Sequence, residues 1–303
     1  SKKDQLNIFF ARANILHKRK NYKESAKCLK LANQLKLLIH PSNSDSLIKR
    51  SKLLLLESNK ANLNFKKQKN NPQSIFIVGM PRSGTTLTES IISMNSKVFD
   101  LGEINAFDRS FKEWKEKKGK IDLFDLYMQR INKKRKSNIT INKWLYNYQY
   151  AGIISSQIPN SKIIHCYRNP LDNILSIFRA NFTKGNEYSC SLVDCAIIYL
   201  DQKRVMDEYK IRFQENIYDL NYDLLVKNPF EEIKLLINWL GWEWNESYLS
   251  PHLNKRAVCT ASNVQVRSEI NSKSIGGWKN YKEMLKPAFE ILTQDGEYKD
   301  LKY

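Results

Sequence analysis

Apolar positions recur every three to four residues through the first 57 positions and give way, from residue 74, to short unbroken apolar runs separated by helical patterns. Leu6, Ile8, Phe9, Ala13 and Leu16 mark one helix face, and Tyr22, Ala26, Leu29 and Ala32 mark a second. With Lys20-Asn21 at the turn between them, this spacing predicts a helical hairpin. A third helix is expected over 44–57, with Ser44 as its cap and Leu47, Ile48 and Leu53 to Leu56 on its apolar side. The polar tract that follows reads as a linker. The expected organisation is a small helical module over 1–58, a linker over 59–73 and one larger domain over 74–303.

Ile75, Phe76, Ile77 and Val78 form a continuous β-branched-rich run, as in a parallel strand covered on both faces. A second strand is expected over 162–167, followed by Arg168, Asn169 and Pro170 and a helix through Phe182. Asn169 suits the cap of that helix and Pro170 its first position. A third strand over 216–222 leads to a helix over 230–240 that Gly241 ends. Strands alternating with helices predict an α/β fold around a mostly parallel central sheet. The stretch 256–281 lacks clean periodicity and is expected to be a loop that covers a ligand.

At 303 residues and 42% apolar, the chain can bury one sizeable core and a small appendage. The net charge of +19 raises a nucleic-acid reading, yet the basic residues are mostly lysine and scattered along the whole length. The densest clusters, 112–120 and 133–136, are short and flanked by acids or Asn. No aromatic-interleaved pattern marks a reader of bases, so the expectation is no nucleic acid; a basic surface that draws in a polyanionic small molecule or an acidic acceptor explains the charge equally well. Cys28, Cys166, Cys190, Cys195 and Cys259 show no CxxC, and His17, His40, His165 and His252 are scattered. Reduced thiols and no metal site are expected. No apolar run approaches about 18 residues and no charged-then-apolar leader opens the chain, so a soluble, cytoplasmic protein without a membrane contact is expected. The chain begins at Ser1 without Met, which leaves an upstream segment open.

The candidate chemistry starts where the first strand stops. Gly79 and Gly84 bracket a tight turn, and from Thr85 the pattern is helical, so the backbone N–H groups of turn and helix start converge on an anion site. The spacing Gly79-x4-Gly84 is that of the Walker A frame, but Thr85 stands where the frame requires lysine, and Arg82 lies inside the loop. At the second strand end, Arg168 and Ser176, about two helical turns on, form a second candidate phosphate pair, which Arg179 can join.

With both strand ends in hand, the chain resembles sulfotransferases that use 3′-phosphoadenosine 5′-phosphosulfate, of the tyrosylprotein and bacterial repeat-linked type. The resemblance covers residues 74 to about 286. Further matching residues are Leu101-Gly102-Glu103, Asn142-Lys143, Tyr222 in Asn-Tyr-Asp-Leu-Leu-Val, Thr260-Ala261-Ser262, Gln265-Val266-Arg267 and Trp278. It implies that Arg82, Ser83, Gly84, Thr85 and Thr86 hold the 5′-phosphosulfate, and that Arg168 with Ser176 holds the 3′-phosphate. It further implies Glu103 as catalytic base, Lys143 and Arg82 as helpers of the leaving phosphate, Tyr222, Ser262 and Arg267 at the donor site, and adenosine 3′,5′-bisphosphate as product, with no metal. The N-terminal hairpin is similar to one tetratricopeptide unit, with Lys20 in place of the usual turn glycine. That module is where a partner protein would make contact.

Each residue has a plainer competitor. Glu103 can cap the next segment, Lys143 can be one more surface lysine, Ser176 and Arg179 can lie on a solvated helix face, and Tyr222 and Ser262 can serve packing. His165, the alternative base, sits inside an apolar strand, where a core role is expected. The resemblance also has a gap: relatives often carry a basic residue before the tryptophan, and here it is Gly277. Two rival functions therefore stay open, a P-loop kinase or NTPase and a catalytically relict binding module. The acceptor, whether a peptide tyrosine, a glycan or a small molecule, is not legible.

Overall fold

The computed structural model describes residues 1–60, 71–132, 137–182, 185–254 and 267–302. The chain divides into two compact units, one of Ser1–Arg50, Arg168–Lys203 and Ser272–Tyr303, the other of Ser51–Tyr167 and Arg204–Asn271.

The second unit holds the sheet. Strands β1 (Gln73–Gly79), β2 (Val98–Asp100), β3 (Ile139–Asn142), β4 (Ser161–Tyr167) and β5 (Ile217–Asn221) are arranged in the order β2-β3-β1-β4-β5. All neighbours are parallel, with Phe76 opposite Asn142 on one side of β1 and Val78 opposite His165 on the other. The apolar run of β1 is split by the period of the strand: Phe76 and Val78 enter one core, Ile75 and Ile77 the other. The first core is closed by α5 (Ala106–Glu116), α6 (Leu123–Asn132) and α7 (Ala151–Gln157). The second is closed by α4 (Thr85–Ile92), α10 (Tyr222–Lys227) and α11 (Pro229–Trp239). Burial on both faces is why β1 carries no polar alternation. At about 1.5–3 kcal/mol for each large apolar side chain buried, this strand anchors the unit.

In the first unit, α1 (Lys2–Lys18) packs on α2 (Tyr22–Ile39) as the expected hairpin. Along the chain, α3 (Ser44–Lys60) follows α2, and α9 (Leu192–Phe213) precedes β5. The buried face differs in detail from the expected one: Leu6, Phe10 and Ala13 are buried on α1, whereas Ile8 is 63% exposed. Lys20, at the turn, takes φ 60°, the left-handed conformation that glycine adopts without cost. Helix α8 (Pro170–Phe178) is capped by Asn169, whose side-chain oxygen accepts from the N–H groups of Leu171 and Asp172. It ends at Phe178, before the expected Phe182, where Asn33 Nδ2 of α2 donates to its last carbonyl, Phe178 O, at 2.9 Å; Lys36 Nζ donates to Phe182 O, beyond the helix, at 2.5 Å.

Tyr222 was expected as the last residue of the third strand. It is instead the first residue of α10, because Asn221 ends β5 and caps the new helix through the N–H groups of Asp223 and Leu224.

Candidate active site

Three neighbouring strands of the second unit deliver their carboxyl ends to one edge of the sheet, where ligands of open α/β folds bind. β1 ends in the loop 79–84, β3 in Lys143 and β2 in the turn that carries Glu103.

The loop is shaped for close approach. Gly79 has φ 146°, and a Cβ there would lie 2.3 Å from the carbonyl oxygen of Cys166. Arg82 takes φ 68° and Gly84 φ 97°, two left-handed residues on either side of Ser83, the kind of alternation with which a loop forms an anion-binding concavity. Ser83, Thr85 and Thr86 are buried, and Ser83 Oγ has no hydrogen-bond partner. An orphaned buried hydroxyl costs about 1–3 kcal/mol, so its position inside an anion cradle fits a ligand oxygen. Tyr222 closes the loop from α10: a Cβ on Gly84 would stand 2.4 Å from Tyr222 Cδ2.

Lys143 and Glu103 meet through main-chain pairing. Leu101 N–H donates to Ile141 O at 2.9 Å and Lys143 N–H to Gly102 O at 3.1 Å, which sets the β2 turn against the end of β3. Gly102 takes φ 69° and its N–H is held by Asp100 Oδ1 at 2.8 Å. Lys143 Nζ then donates to Glu103 Oε1 and lies 3.7 Å from Glu89 Oε2. Lys143 is 1% exposed and Glu89 3%, whereas Glu103 is 44% exposed. A buried cation therefore links the helix behind the loop to a solvent-facing carboxylate. Asn142 steadies the corner, donating to Ile104 O and accepting from the N–H of Trp144 and from Asn147 Nδ2.

Arg168 and Ser176 belong to the first unit. Arg168 Nη2 donates to Ser274 O at 2.8 Å, and Ser176 lies half-buried on α8. Asp172, in the first turn of α8, accepts from the N–H of Gly276 and of Trp278 at 2.6 and 3.0 Å, which fixes the segment around Gly277. Trp278 is buried, and among the described residues the Asp172 carboxylate, at 3.8 Å, is what comes near a Cβ placed on Gly277. Arg179 is mostly buried beside His17, Tyr22 and Tyr281, and burial pushes its guanidinium down from its ordinary value.

Other expected site residues fall elsewhere. Arg267 donates to Asn254 O at 2.6 Å, and Asn254 is itself tied to Ser90 and Ser93, at the far end of α4 from the loop. Ser262 lies outside the described residues. His165 is buried, with Nδ1 2.7 Å from Asp219 Oδ1. Burial alone would raise the Asp219 carboxyl, but His165 and Lys210 outweigh it and hold it at about 2. Glu89 and Asp172 were not singled out in the sequence. The only signal was an acid on an otherwise apolar or capped helix start. Among the described residues no cluster of three or more His, Cys, Asp or Glu is placed to hold a metal ion, and no helix is long and apolar enough to cross a membrane.

The model of the sulfotransferase family matches residues 72–126 and 120–246. The chain belongs to the sulfotransferase family. Loop, Lys143, Glu103 and Tyr222 all fall within the matched residues. A protein of Aquifex aeolicus (strain VF5) is 32% identical over 244 residues, covering 73% of this chain and 32% of that protein, so the chain spans about a third of the relative's length. Among solved structures, the sulfotransferase domain of the Synechococcus PCC 7002 olefin synthase aligns with a TM-score of 0.54 at 16% identity, covering 76% of this chain and 98% of that domain. The sulfotransferase domain from the curacin biosynthetic pathway aligns with a TM-score of 0.52 at 17% identity, covering 74% and 97%. Both likenesses establish the sulfotransferase fold.

Proposed function

We propose that the chain moves a sulfuryl group from 3′-phosphoadenosine 5′-phosphosulfate to an acceptor hydroxyl or amine. The observation that carries this reading is the contact between buried Lys143 and solvent-facing Glu103, one strand away from the phosphate loop.

In the transfer, the acceptor oxygen forms a bond to sulfur as the bond from sulfur to the 5′-phosphate oxygen breaks. The electron pair stays on that phosphate oxygen, giving adenosine 3′,5′-bisphosphate, and the acceptor proton passes to Glu103. Negative charge grows on the leaving oxygen, where fixed cations and N–H donors stabilise it most. Arg82, Lys143 and the loop amides supply these, with Ser83, Gly84, Thr85 and Thr86 around the phosphosulfate. They bring the positive charge that phosphoryl transfer takes from bridging metal ions. Lys143 is shared: an arriving phosphate competes with Glu103 for the ammonium, so donor binding releases the carboxylate for proton abstraction. The 3′-phosphate is assigned to Arg168 and Ser176 from their match in sequence. Tyr222 covers the loop glycine at the donor site.

Thermal unfolding in the presence of nucleotide tests the reading. Stabilisation by adenosine 3′,5′-bisphosphate without magnesium should exceed that by ATP with magnesium. Equal or greater stabilisation by ATP with magnesium would overturn it in favour of a nucleoside triphosphatase.

A further inference from the structure

A cavity of about 810 Å³ opens beside Glu103, between α5, α6 and Trp144. This is within the usual size of small-molecule sites. Its four charged side chains, Glu103, Glu113, Arg109 and Arg130, are unequally paired. Glu103 is paired with Lys143. Glu113 accepts from Lys117 at 2.6 Å and from Arg130 Nη2; the Lys117 hydrogen bond first, then the two positive charges, hold its carboxyl below the ordinary range. Arg130 is thereby neutralised, although its Nε is buried without a partner. That leaves Arg109, one turn into α5 and exposed, whose side chain has no hydrogen-bond or ion-pair partner among the described residues. Trp144 offers a half-buried ring on the same wall, and its main-chain N–H donates to Asn142 Oδ1. Leu126 and Ala106 supply the apolar lining.

An open guanidinium, a ring platform and a carboxylate that takes a proton specify three parts of one molecule. We infer that this cavity binds the acceptor, and that the acceptor is a hydroxylated compound bearing a carboxylate, held with the carboxylate on Arg109, its ring or chain against Trp144 and its hydroxyl at Glu103. The inference rests on the sulfuryl-transfer reading for the role of Glu103, while the anion preference stands on Arg109 alone. Guanidinium and carboxylate match as a two-pronged pair, which a neutral amide cannot replace.

The test uses the whole chain and paired probes: 4-hydroxyphenylacetate, N-acetyltyrosine and glucuronic acid, each against its uncharged amide. Binding is measured by calorimetry and transfer with labelled donor, and bisphosphate binding is followed in parallel as a report on the donor side. At least one acid should bind, or show a KM, about tenfold or more better than its amide, the scale of one charge-assisted hydrogen-bonded pair. In Arg109→Gln that advantage should vanish, and in Arg109→Lys it should return in part. Acids and amides bound alike throughout the panel, or an acid preference that persists in Arg109→Gln, would overturn the proposal. Arg109-dependent acid binding with no transfer to any probe, despite tight bisphosphate binding, would support the anion site and count against the sulfuryl-transfer reading.

Discussion

Lys143 Nζ is bonded to Glu103 and stands 3.7 Å from Glu89, so a single ammonium, 1% exposed, answers two carboxylates in different surroundings. Removing the cation takes a positive charge from beside the buried carboxylate of Glu89, 3% exposed, whereas a glutamine at the solvated position 103 keeps an acceptor oxygen for Lys143 and leaves Glu89 beside the ammonium. Lys143→Met should therefore destabilise the protein by about 3 kcal/mol, the cost of breaking one side of a buried pair. Glu103→Gln should cost under about 1 kcal/mol. Urea unfolding of the two variants checks the asymmetry, and equal losses would contradict it.

The loop glycines should differ in the same assay. A methyl group at Gly79 meets the main-chain carbonyl of Cys166 on β4 at 2.3 Å, whereas at Gly84 it meets the ring of Tyr222 at 2.4 Å. A ring can rotate away and a central strand cannot. Both positions carry positive φ, which by itself costs about 1–3 kcal/mol for a side chain. Gly79→Ala should be the more destabilising, visible as the lower urea midpoint.

How far the sequence led depended on the range of the interactions. The β1 run, the Gly79 to Gly84 turn and the Asn169 cap are set by residues close together in the chain, and each was legible there. The strand pattern runs through Tyr222, but the cap that Asn221 makes to Asp223 and Leu224 starts a helix there. The Ile8 face of α1 was misread because Phe9 and Phe10 are both apolar, and only packing against α2 decides which turns inward. The Lys143 to Glu103 bond spans 40 positions and follows from the pairing of β2 with β3, two strands of three and four residues that were too short to detect by alternation. Asp172 looked like a helix-start acid, yet the N–H groups that donate to it lie 104 and 106 residues on. Arg109 and Trp144 come to line one cavity only when α5, α6 and the β3 end are brought together.

His17 should make the first unit acid-sensitive. Its Nδ1 is 2.8 Å from Tyr281 Oη, whose hydroxyl donates to Ser25 Oγ, which donates in turn to Ala13 O. Burial, and then the charge of Arg179, push His17 down to about 4 from its ordinary 6.5. Above 6.5 the ring is neutral folded and unfolded. Between 6.5 and about 4 the unfolded chain takes up a proton that the folded unit refuses, so stability falls with pH; below about 4 there is no further loss from this group. Melting temperatures measured from pH 7.5 to 4.5 should drop less in His17→Gln than in the parent.

Asp172 holds the segment around Gly277 by two main-chain hydrogen bonds. Asp172→Ala should leave those N–H groups unsatisfied, at about 1–3 kcal/mol each. Hydrogen exchange at Gly276 and Trp278 should accelerate well beyond that in the α1–α2 hairpin. Unchanged protection at both amides would show that other contacts carry the segment.

In the proposed transfer, Glu103 takes the acceptor proton while the loop and Lys143 hold the leaving phosphate. Transfer of labelled sulfuryl from 3′-phosphoadenosine 5′-phosphosulfate to a panel of hydroxyl and amine acceptors, by the parent and by Glu103→Gln, tests it most directly. The parent should transfer the group and the variant should lose about 100-fold or more in kcat, with adenosine 3′,5′-bisphosphate still bound. Equal rates in parent and variant, or no transfer by the parent to any acceptor, would contradict it.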